Sequence, residues 1–313
     1  MRKLLITGAA GYVGGRLVPQ LRAHGWEVRA LVRESAPRLD VEQTVCDLAA
    51  PDAFPAVMEA CTGVDAVVHL AGENEVLADR QPAAALSGTV LATERVAEAA
   101  ARAGVSRLVY LSTVHVYGAR IVPGVRLSEE MRVEPRSAYA ISRLASEHVA
   151  AAFGIDAYDL VVLRLTNSVG APDHPAVDRW SLVANDLCRQ GALQGRLVLR
   201  SAGTQWRDFV ALPDVCSAIA QACSADTLPP GTYNLGSGQS RTVRALADMI
   251  GDEFERQTGS RPELGVPASE ARPPEPYYVS VHRAAVHGVR LETALEEAIG
   301  ETVRFCLDHR EEL

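Results

Sequence analysis

Lysine is almost absent from this sequence of 313 residues, since Lys3 is the only lysine among the 31 basic residues. We interpret the scarcity as a compositional bias in which lysine positions have become arginine. Long apolar runs are also missing: no stretch of about 18 apolar residues occurs, which predicts no membrane-spanning helix. The first residues lead directly into a short apolar segment and a glycine turn rather than a signal peptide, so we expect a cytoplasmic protein.

Cysteine pairing signals are missing as well. The six cysteines include no C-x-x-C pair and form no His/Cys cluster at zinc spacing, so we predict reduced thiols and no metal site. The net charge of −8 argues against a general nucleic-acid or membrane-surface role. We therefore expect neither nucleic acid nor membrane as a partner, and an anionic substrate would have to be bound by local arginines.

Short apolar runs alternate with helical patterns over the first two-thirds of the chain. This alternation predicts βαβ units and an α/β fold with a doubly wound parallel sheet, the Rossmann arrangement. Beyond about residue 170 the pattern loosens into proline-rich loops. We assign residues 1–168 to a dinucleotide-binding domain and 169–313 to a smaller C-terminal α/β substrate lobe. The segment of about 198–225 is expected to pack back near the first domain.

A glycine-rich turn follows the first predicted strand, with the sequence TGAAGYVG at residues 7–14. Glycines at this spacing allow a tight turn and let a pyrophosphate approach the N–H groups at a helix N-terminus. Because a strand precedes the turn and a helix follows it, we predict a dinucleotide-binding site. The turn residues assigned to the cofactor are Gly8, Gly11, Tyr12, Val13 and Gly14.

The end of the second predicted strand bears on the choice of cofactor. An NAD-preferring site usually carries an acid there for the ribose 2′-hydroxyl. This chain has Arg33 instead, and a guanidinium can pair with a 2′-phosphate. We therefore favour NADP slightly over NAD, the alternative being a solvated Arg33 beside NAD.

Two further segments carry reactive side chains. The sequence LSTVHVYG at 111–118 follows the fifth predicted strand, and YAISR at 139–143 lies early in a helix. With the glycine turn, they make the chain resemble the extended short-chain dehydrogenase/reductases, especially the NAD(P)-dependent nucleotide-sugar epimerase/dehydratase family. The resemblance implies that Tyr139 is the general acid/base and that Thr113 holds the reacting oxygen. Such a phenol needs a neighbouring cation, because an ordinary tyrosine is a poor base at neutral pH.

The family's Tyr-x-x-x-Lys motif ends here in Arg143. Arginine keeps the positive charge and can donate to ribose hydroxyls, but it is planar and effectively never deprotonates. Arg143 can therefore anchor the cofactor without passing protons as lysine does. The near absence of lysine favours compositional replacement with retained function over an inactive site. Thr89 is a second departure, since it stands where the family usually has asparagine.

The resemblance also implies further cofactor and substrate residues. Those expected to bind the cofactor, besides the turn and Arg33, are Asp47, Leu48, Leu70, Ala71, Gly72, Thr89, Tyr139, Arg143 and Thr166. Those expected to bind a nucleotide-diphosphate sugar are Thr113, Asn167, Arg207 and Arg272. Arg207 and Arg272 would hold the diphosphate from two sides. His115 and Tyr117 are interpreted as packing residues, and a homodimer is expected through helices at 90–103 and 138–153.

Several functions remain open at this point. The favoured one is a nucleotide-sugar epimerase, acting at the sugar C4 through a transient keto intermediate. A nucleotide-4-ketosugar reductase is the near alternative, and dehydration is disfavoured because no Asp-Glu pair follows Thr113. A reductase of small non-sugar carbonyls and a non-catalytic dinucleotide sensor are the remaining alternatives. The diphosphate-binding pattern at Arg207 opposes the former, and the presence of both Thr113 and Tyr139 opposes the latter.

Overall fold

The computed structural model describes residues 2–224, 226–268 and 274–313. Its strands are β1 (Lys3–Thr7), β2 (Glu27–Val32), β3 (Glu42–Val45), β4 (Ala66–His69), β5 (Arg107–Thr113), β6 (Arg126–Leu127), β7 (Asp159–Leu165), β8 (Asn167–Val169), β9 (Arg196–Val198), β10 (Trp206–Ala211), β11 (Gly231–Leu235), β12 (Ser240–Thr242), β13 (Glu263–Gly265) and β14 (Tyr278–Val279). Its α-helices are α1 (Tyr12–Ala23), α2 (Phe54–Cys61), α3 (Glu75–Arg80), α4 (Pro82–Ala103), α5 (Ala138–Gly154), α6 (Val183–Gln194), α7 (Leu212–Ala222), α8 (Val243–Thr258), α9 (His282–Val286) and α10 (Leu295–Asp308).

Seven parallel strands form the main sheet, in the order β11-β7-β5-β4-β1-β2-β3. Every residue of β4 and β5 is buried, as a parallel sheet covered on both faces requires. The strand order reverses between β1 and β4. A crevice opens beyond the carboxyl ends of the strands at such a point, which places the ligand site of the fold there. The predicted doubly wound parallel sheet is confirmed.

Helices cover the two faces of this sheet. Alternate side chains of β1 point to opposite sides, so that Leu4 and Ile6 enter the core beneath α1 and α7, whereas Leu5 enters the core beneath α2 and α4. Both cores consist mostly of buried aliphatic side chains, with a few aromatic ones such as Trp26 and Tyr110. This two-sided burial fixes the sheet and therefore the positions of the loops at its carboxyl edge.

The second half of the chain contributes to both parts of the molecule. β11 joins the main sheet beside β7, although it lies within residues 169–313. α7 packs against α1 on the same sheet. The separate smaller lobe has its own apolar core, built by α6, α8 and α10. No helix in the three described ranges is long and apolar enough to span a bilayer.

Candidate active site

A cavity of about 890 Å³ lies at the carboxyl ends of the strands of the main sheet, between the sheet and the smaller lobe. The predicted site residues that line it are Gly8, Gly11, Tyr12, Val13, Gly14, Arg33, Asp47, Leu48, Leu70, Ala71, Gly72, Thr113, Tyr139, Arg143, Thr166, Asn167 and Arg207. Thr89 is fully buried behind the wall, where its hydroxyl accepts a hydrogen bond from the Glu73 N–H at 3.0 Å. Arg272 lies outside the described residues.

The glycine turn between β1 and α1 is built for close backbone approach. Gly8 has φ +70°, and a Cβ there would lie 2.9 Å from the backbone nitrogen of Ala71. A Cβ on Gly14 would lie 2.4 Å from the Gly8 carbonyl oxygen. Gly11 begins the helix with no side-chain cap, so the first N–H groups of α1 lack a side-chain acceptor. This arrangement fits the pyrophosphate of a dinucleotide.

A buried chain of hydrogen bonds holds the loop after β4 against this turn. The Thr93 hydroxyl donates to the Thr89 carbonyl at 2.9 Å and therefore accepts from His69 Nε2, which lies 3.0 Å away. His69 Nδ1 then accepts from the Thr7 hydroxyl at 2.6 Å, and Thr7 Oγ1 accepts from the Ala71 N–H at 3.3 Å. Burial, together with the charge of Arg143, lowers the pKa of His69 to about 3, so this histidine is neutral at physiological pH.

Tyr139 and Arg143 meet inside the cavity because they are four positions apart on α5 and therefore share a face of the helix. The Arg143 Cζ lies 5.4 Å from the centre of the Tyr139 ring, and its Nη2 donates to the Glu73 carbonyl at 3.3 Å. A Cβ on Gly72 would lie 2.8 Å from Nη1, so glycine leaves the room that the broad guanidinium needs. The Nε of Arg143 is buried without a hydrogen-bond partner. A ribose hydroxyl of a dinucleotide is a suitable acceptor for a hydrogen bond from this Nε–H group.

Thr113 ends β5 at the cavity wall. Its Oγ1 accepts from the His115 N–H at 3.2 Å, which fixes the hydroxyl beside the start of the 3₁₀ helix Val114–Arg120. Behind this strand end, the Glu147 carboxylate of α5 accepts from Arg164 Nη2 of β7 at 2.7 Å and from the Ser112 hydroxyl. The buried ion pair therefore braces the segment that carries Thr113.

Tyr117 and His115, both interpreted from the sequence as packing residues, differ in their burial. Tyr117 is fully buried and its hydroxyl donates to Asn234 Oδ1 at 2.7 Å, which suits a packing role. His115 instead lines the cavity with an exposed side chain, 6.3 Å from the Tyr139 ring between ring centres. The enclosing cavity wall desolvates His115 and, with the cation of Arg207, lowers the pKa of its imidazole. Sequence spacing gave no sign that this ring faces Tyr139.

The substrate side of the cavity depends on a buried carboxylate. Asp208 accepts from the Thr166 hydroxyl at 3.0 Å, from the Ser237 N–H at 2.8 Å and from the Gly238 N–H at 2.7 Å. Burial raises the pKa of Asp208 despite these donors. Its neighbour Arg207 lines the cavity from β10. Asp208 thus positions the strand and loop that present Thr166 and Arg207.

Sequence reasoning missed two ion pairs that join the two sides of the cavity. Glu75, at the start of α3, pairs with Arg179 of the smaller lobe at 2.9 Å. Burial acts to raise the pKa of Glu75, but the charge of Arg179 together with hydrogen bonds from Arg179, the backbone and Ser181 lowers it overall. Arg38 pairs with Asp173 at 3.0 Å and also donates to the Ala10 carbonyl in the glycine turn at 2.7 Å. These partners are 104 and 135 residues apart, and no local pattern signals such pairs.

Comparison with known proteins agrees with this geometry. A model of the NAD dependent epimerase/dehydratase family matches residues 4–236. A dTDP-6-deoxy-L-talose 4-dehydrogenase (NAD(P)(+)) from Kitasatospora kifunensis is 34% identical over 87% of this chain and 85% of its own. A GDP-6-deoxy-D-mannose reductase from Pseudomonas aeruginosa is 30% identical over 80% of each chain.

Solved structures resemble the whole chain. MoeE5 in complex with UDP-glucose and NAD has a TM-score of 0.81 at 28% identity, over 99% of both chains. RMD from Pseudomonas aeruginosa complexed with NADPH has a TM-score of 0.81 at 25% identity, over 99% of this chain and 100% of that one.

Proposed function

Because the chain belongs to the NAD dependent epimerase/dehydratase family and is an NAD(P)-dependent enzyme, we propose that it performs net oxidation or reduction at C4 of a nucleotide-linked 6-deoxyhexose. The observation that carries this proposal is the convergence of Thr113, Tyr139 and Arg143 in one cavity with the glycine turn and Arg207. A sugar nucleotide would place its diphosphate near Arg207 and its hexose near Tyr139.

The chain's own residues account for binding and proton transfer. A nicotinamide cofactor, when bound, supplies the hydride chemistry. Thr113 orients the C4 oxygen, and Tyr139 takes the hydroxyl proton during oxidation or returns it during reduction. Arg143 holds a permanent positive charge beside the Tyr139 ring. Arg33 is the residue that would pair with a 2′-phosphate, so NADP is the proposed cofactor.

C4 epimerisation, which the sequence favoured, is the second candidate. Its residues and keto intermediate are the same, but the hydride returns to the same sugar and no cofactor is consumed. Net oxidoreduction is placed first because two relatives that are at least 30% identical over 80% or more of this chain are a dehydrogenase and a reductase. The position of Arg33 supports the same choice, since NADP suits net reduction.

The test is turnover of three sugar nucleotides with NAD⁺ and with NADP⁺: dTDP-6-deoxy-L-talose, GDP-6-deoxy-D-mannose and UDP-glucose. We expect nicotinamide reduction with a 6-deoxyhexose and greater efficiency with NADP⁺. Conversion of a sugar to its C4 epimer without net cofactor reduction would instead establish the second candidate. A nucleotide-sugar substrate would be refuted by two results together. None of the three sugar nucleotides would react or raise the melting temperature, and Arg207→Met would bind nucleotides as wild type does.

We also propose that the protein is a homodimer through α4 and α5. Leu91 on α4 is 40% exposed and Ile141 on α5 is 44% exposed, and both are large apolar side chains. Pairing these helices with a second copy would bury them. Sedimentation of wild type and of Leu91→Glu tests this arrangement: a dimer that the substitution dissociates supports it, and a wild-type monomer contradicts it.

A further inference from the structure

Net oxidation leaves a proton on Tyr139 at the end of each turnover, whereas epimerisation returns that proton to the sugar. Oxidation of the C4 hydroxyl, with a nicotinamide as the acceptor of the hydride and its electron pair, would deliver the hydroxyl proton to the Tyr139 oxygen once per turnover. That proton must leave the phenol before the next turnover. Arg143 cannot carry it, because a guanidinium has no acidic proton to exchange near neutral pH. Arg143 is also buried, so it offers no path to water.

His115 is the titratable ring in the position to carry this proton. It lines the same cavity as Tyr139, their ring centres are 6.3 Å apart, and the two rings meet edge to face. The side chain of His115 is exposed, unlike that of its neighbour Thr113. The charged groups acting on it come from two other elements, Arg207 on β10 and Glu75 on α3. An imidazole between a phenol and solvent can accept a proton from one side and release it to the other.

We propose that His115 relays the proton between Tyr139 and solvent once per turnover, in place of the lysine that this chain lacks. The inference rests on the proposed net oxidoreduction. In oxidation, the phenol gives its proton to the neutral imidazole through bridging water, and the imidazolium releases a proton to bulk solvent. In reduction the same groups act in reverse. His115 acts through Tyr139, so it is a positioning residue for the proton rather than a catalytic one.

The test compares the first turnover with later ones in His115→Ala, using dTDP-6-deoxy-L-talose and NADP⁺. The relay is needed only to remove the proton that a completed turnover has delivered to Tyr139, so we expect the first oxidation to give a burst of one NADPH per site at the wild-type rate. The steady state that follows should be at least tenfold slower, since positioned proton transfer contributes about 10²–10⁴-fold. Added imidazole should restore it. His24→Ala, which removes an exposed histidine at the end of α1, is the matched control and should behave as wild type.

Two kinetic results would overturn the proposal. An unchanged steady state would mean that the proton leaves without His115. Equal losses in the burst and in the steady state, without rescue by imidazole, would mean that His115 only shapes the site.

A second measurement does not depend on turnover. In the NADP-bound protein, NMR titration of the His115 imidazole should give a different pKa in Tyr139→Phe from that in wild type, because a phenol hydrogen-bonded to the imidazole through water favours one of its protonation states. An identical titration would refute the relay even if no sugar tested is a substrate. If no sugar reacts while the titrations are coupled, the proposed substrate fails, whereas the interaction between His115 and Tyr139 that the relay requires is supported.

Discussion

Removing the Glu147 carboxylate should destabilise the protein more than removing any surface ion pair. Glu147 Oε2 lies 2.7 Å from Arg164 Nη2 and Oε1 lies 3.1 Å from Arg164 Nε, and both side chains are 8% exposed. Glu147→Ala leaves the guanidinium buried without a counter-charge and removes the acceptor of the Ser112 hydroxyl. Breaking a buried pair in this way costs about 3–5 kcal/mol of the free energy of unfolding.

Urea unfolding of wild type and variants measures this cost. The control is Glu98→Ala, which breaks the i,i+4 pair between the half-buried Glu98 and the exposed Arg102 on α4 and should cost about 0.3–0.5 kcal/mol. The double change Glu147→Leu with Arg164→Met removes both charges and should be more stable than Glu147→Ala, because no charge stays buried alone. Equal losses in the free energy of unfolding for Glu147→Ala and Glu98→Ala would contradict this expectation. A double change less stable than Glu147→Ala would contradict it as well.

Three further outcomes follow from single positions. Gly14→Ala should weaken NADP binding in calorimetry at least tenfold, because its Cβ would lie 2.4 Å from the Gly8 carbonyl oxygen; Gly265→Ala, with its nearest contact at 3.7 Å, should not. Arg33→Ala should weaken binding of NADP but not of NAD, and an equal effect on both would exclude a contact with the 2′-phosphate. The depressed pKa of His69, about 3, means that the unfolded chain takes up a proton below about pH 6.5 while the folded chain does not. The contribution of His69 to the free energy of unfolding should therefore fall by about 2 kcal/mol between about pH 7 and about pH 5. Urea unfolding of His69→Gln should lack that part of the pH dependence.

Much of the main sheet could be predicted because its strands are buried on both faces. Such strands contain short continuous apolar runs, at 66–68 in β4 and 108–111 in β5 for example, and the alternation of these runs with helical patterns predicts a parallel sheet. The sequence did not predict β11 as a strand. It is short and follows a Pro-Pro-Gly turn in a loop-rich region, and only pairing with β7, some 70 residues earlier in the chain, makes it part of the sheet. α4 begins at Pro82 rather than near residue 90, because Ser87 and Gly88 weaken the helical pattern of its first turns.

In the site too, contacts between residues close in sequence could be predicted, whereas contacts between distant residues could not. The spacing of Tyr139 and Arg143 on one helix predicts that they share a face, and in the structure both line the cavity. The pairing of Glu75 with Arg179 joins two lobes and has no local signature. The exposure of His115 depends on how the 3₁₀ helix after β5 turns its side chains, which apolar periodicity does not encode.

We propose that Tyr139 and Arg143 lie beside the nicotinamide of a bound dinucleotide, and a crystal structure of the protein with NADP bound would show whether they do. We expect the pyrophosphate on the glycine turn, the nicotinamide ribose within hydrogen-bonding distance of Arg143, and the nicotinamide ring next to the Tyr139 hydroxyl and Thr113. A nicotinamide ring bound away from Tyr139, or a dinucleotide that leaves Arg143 without a contact, would contradict it.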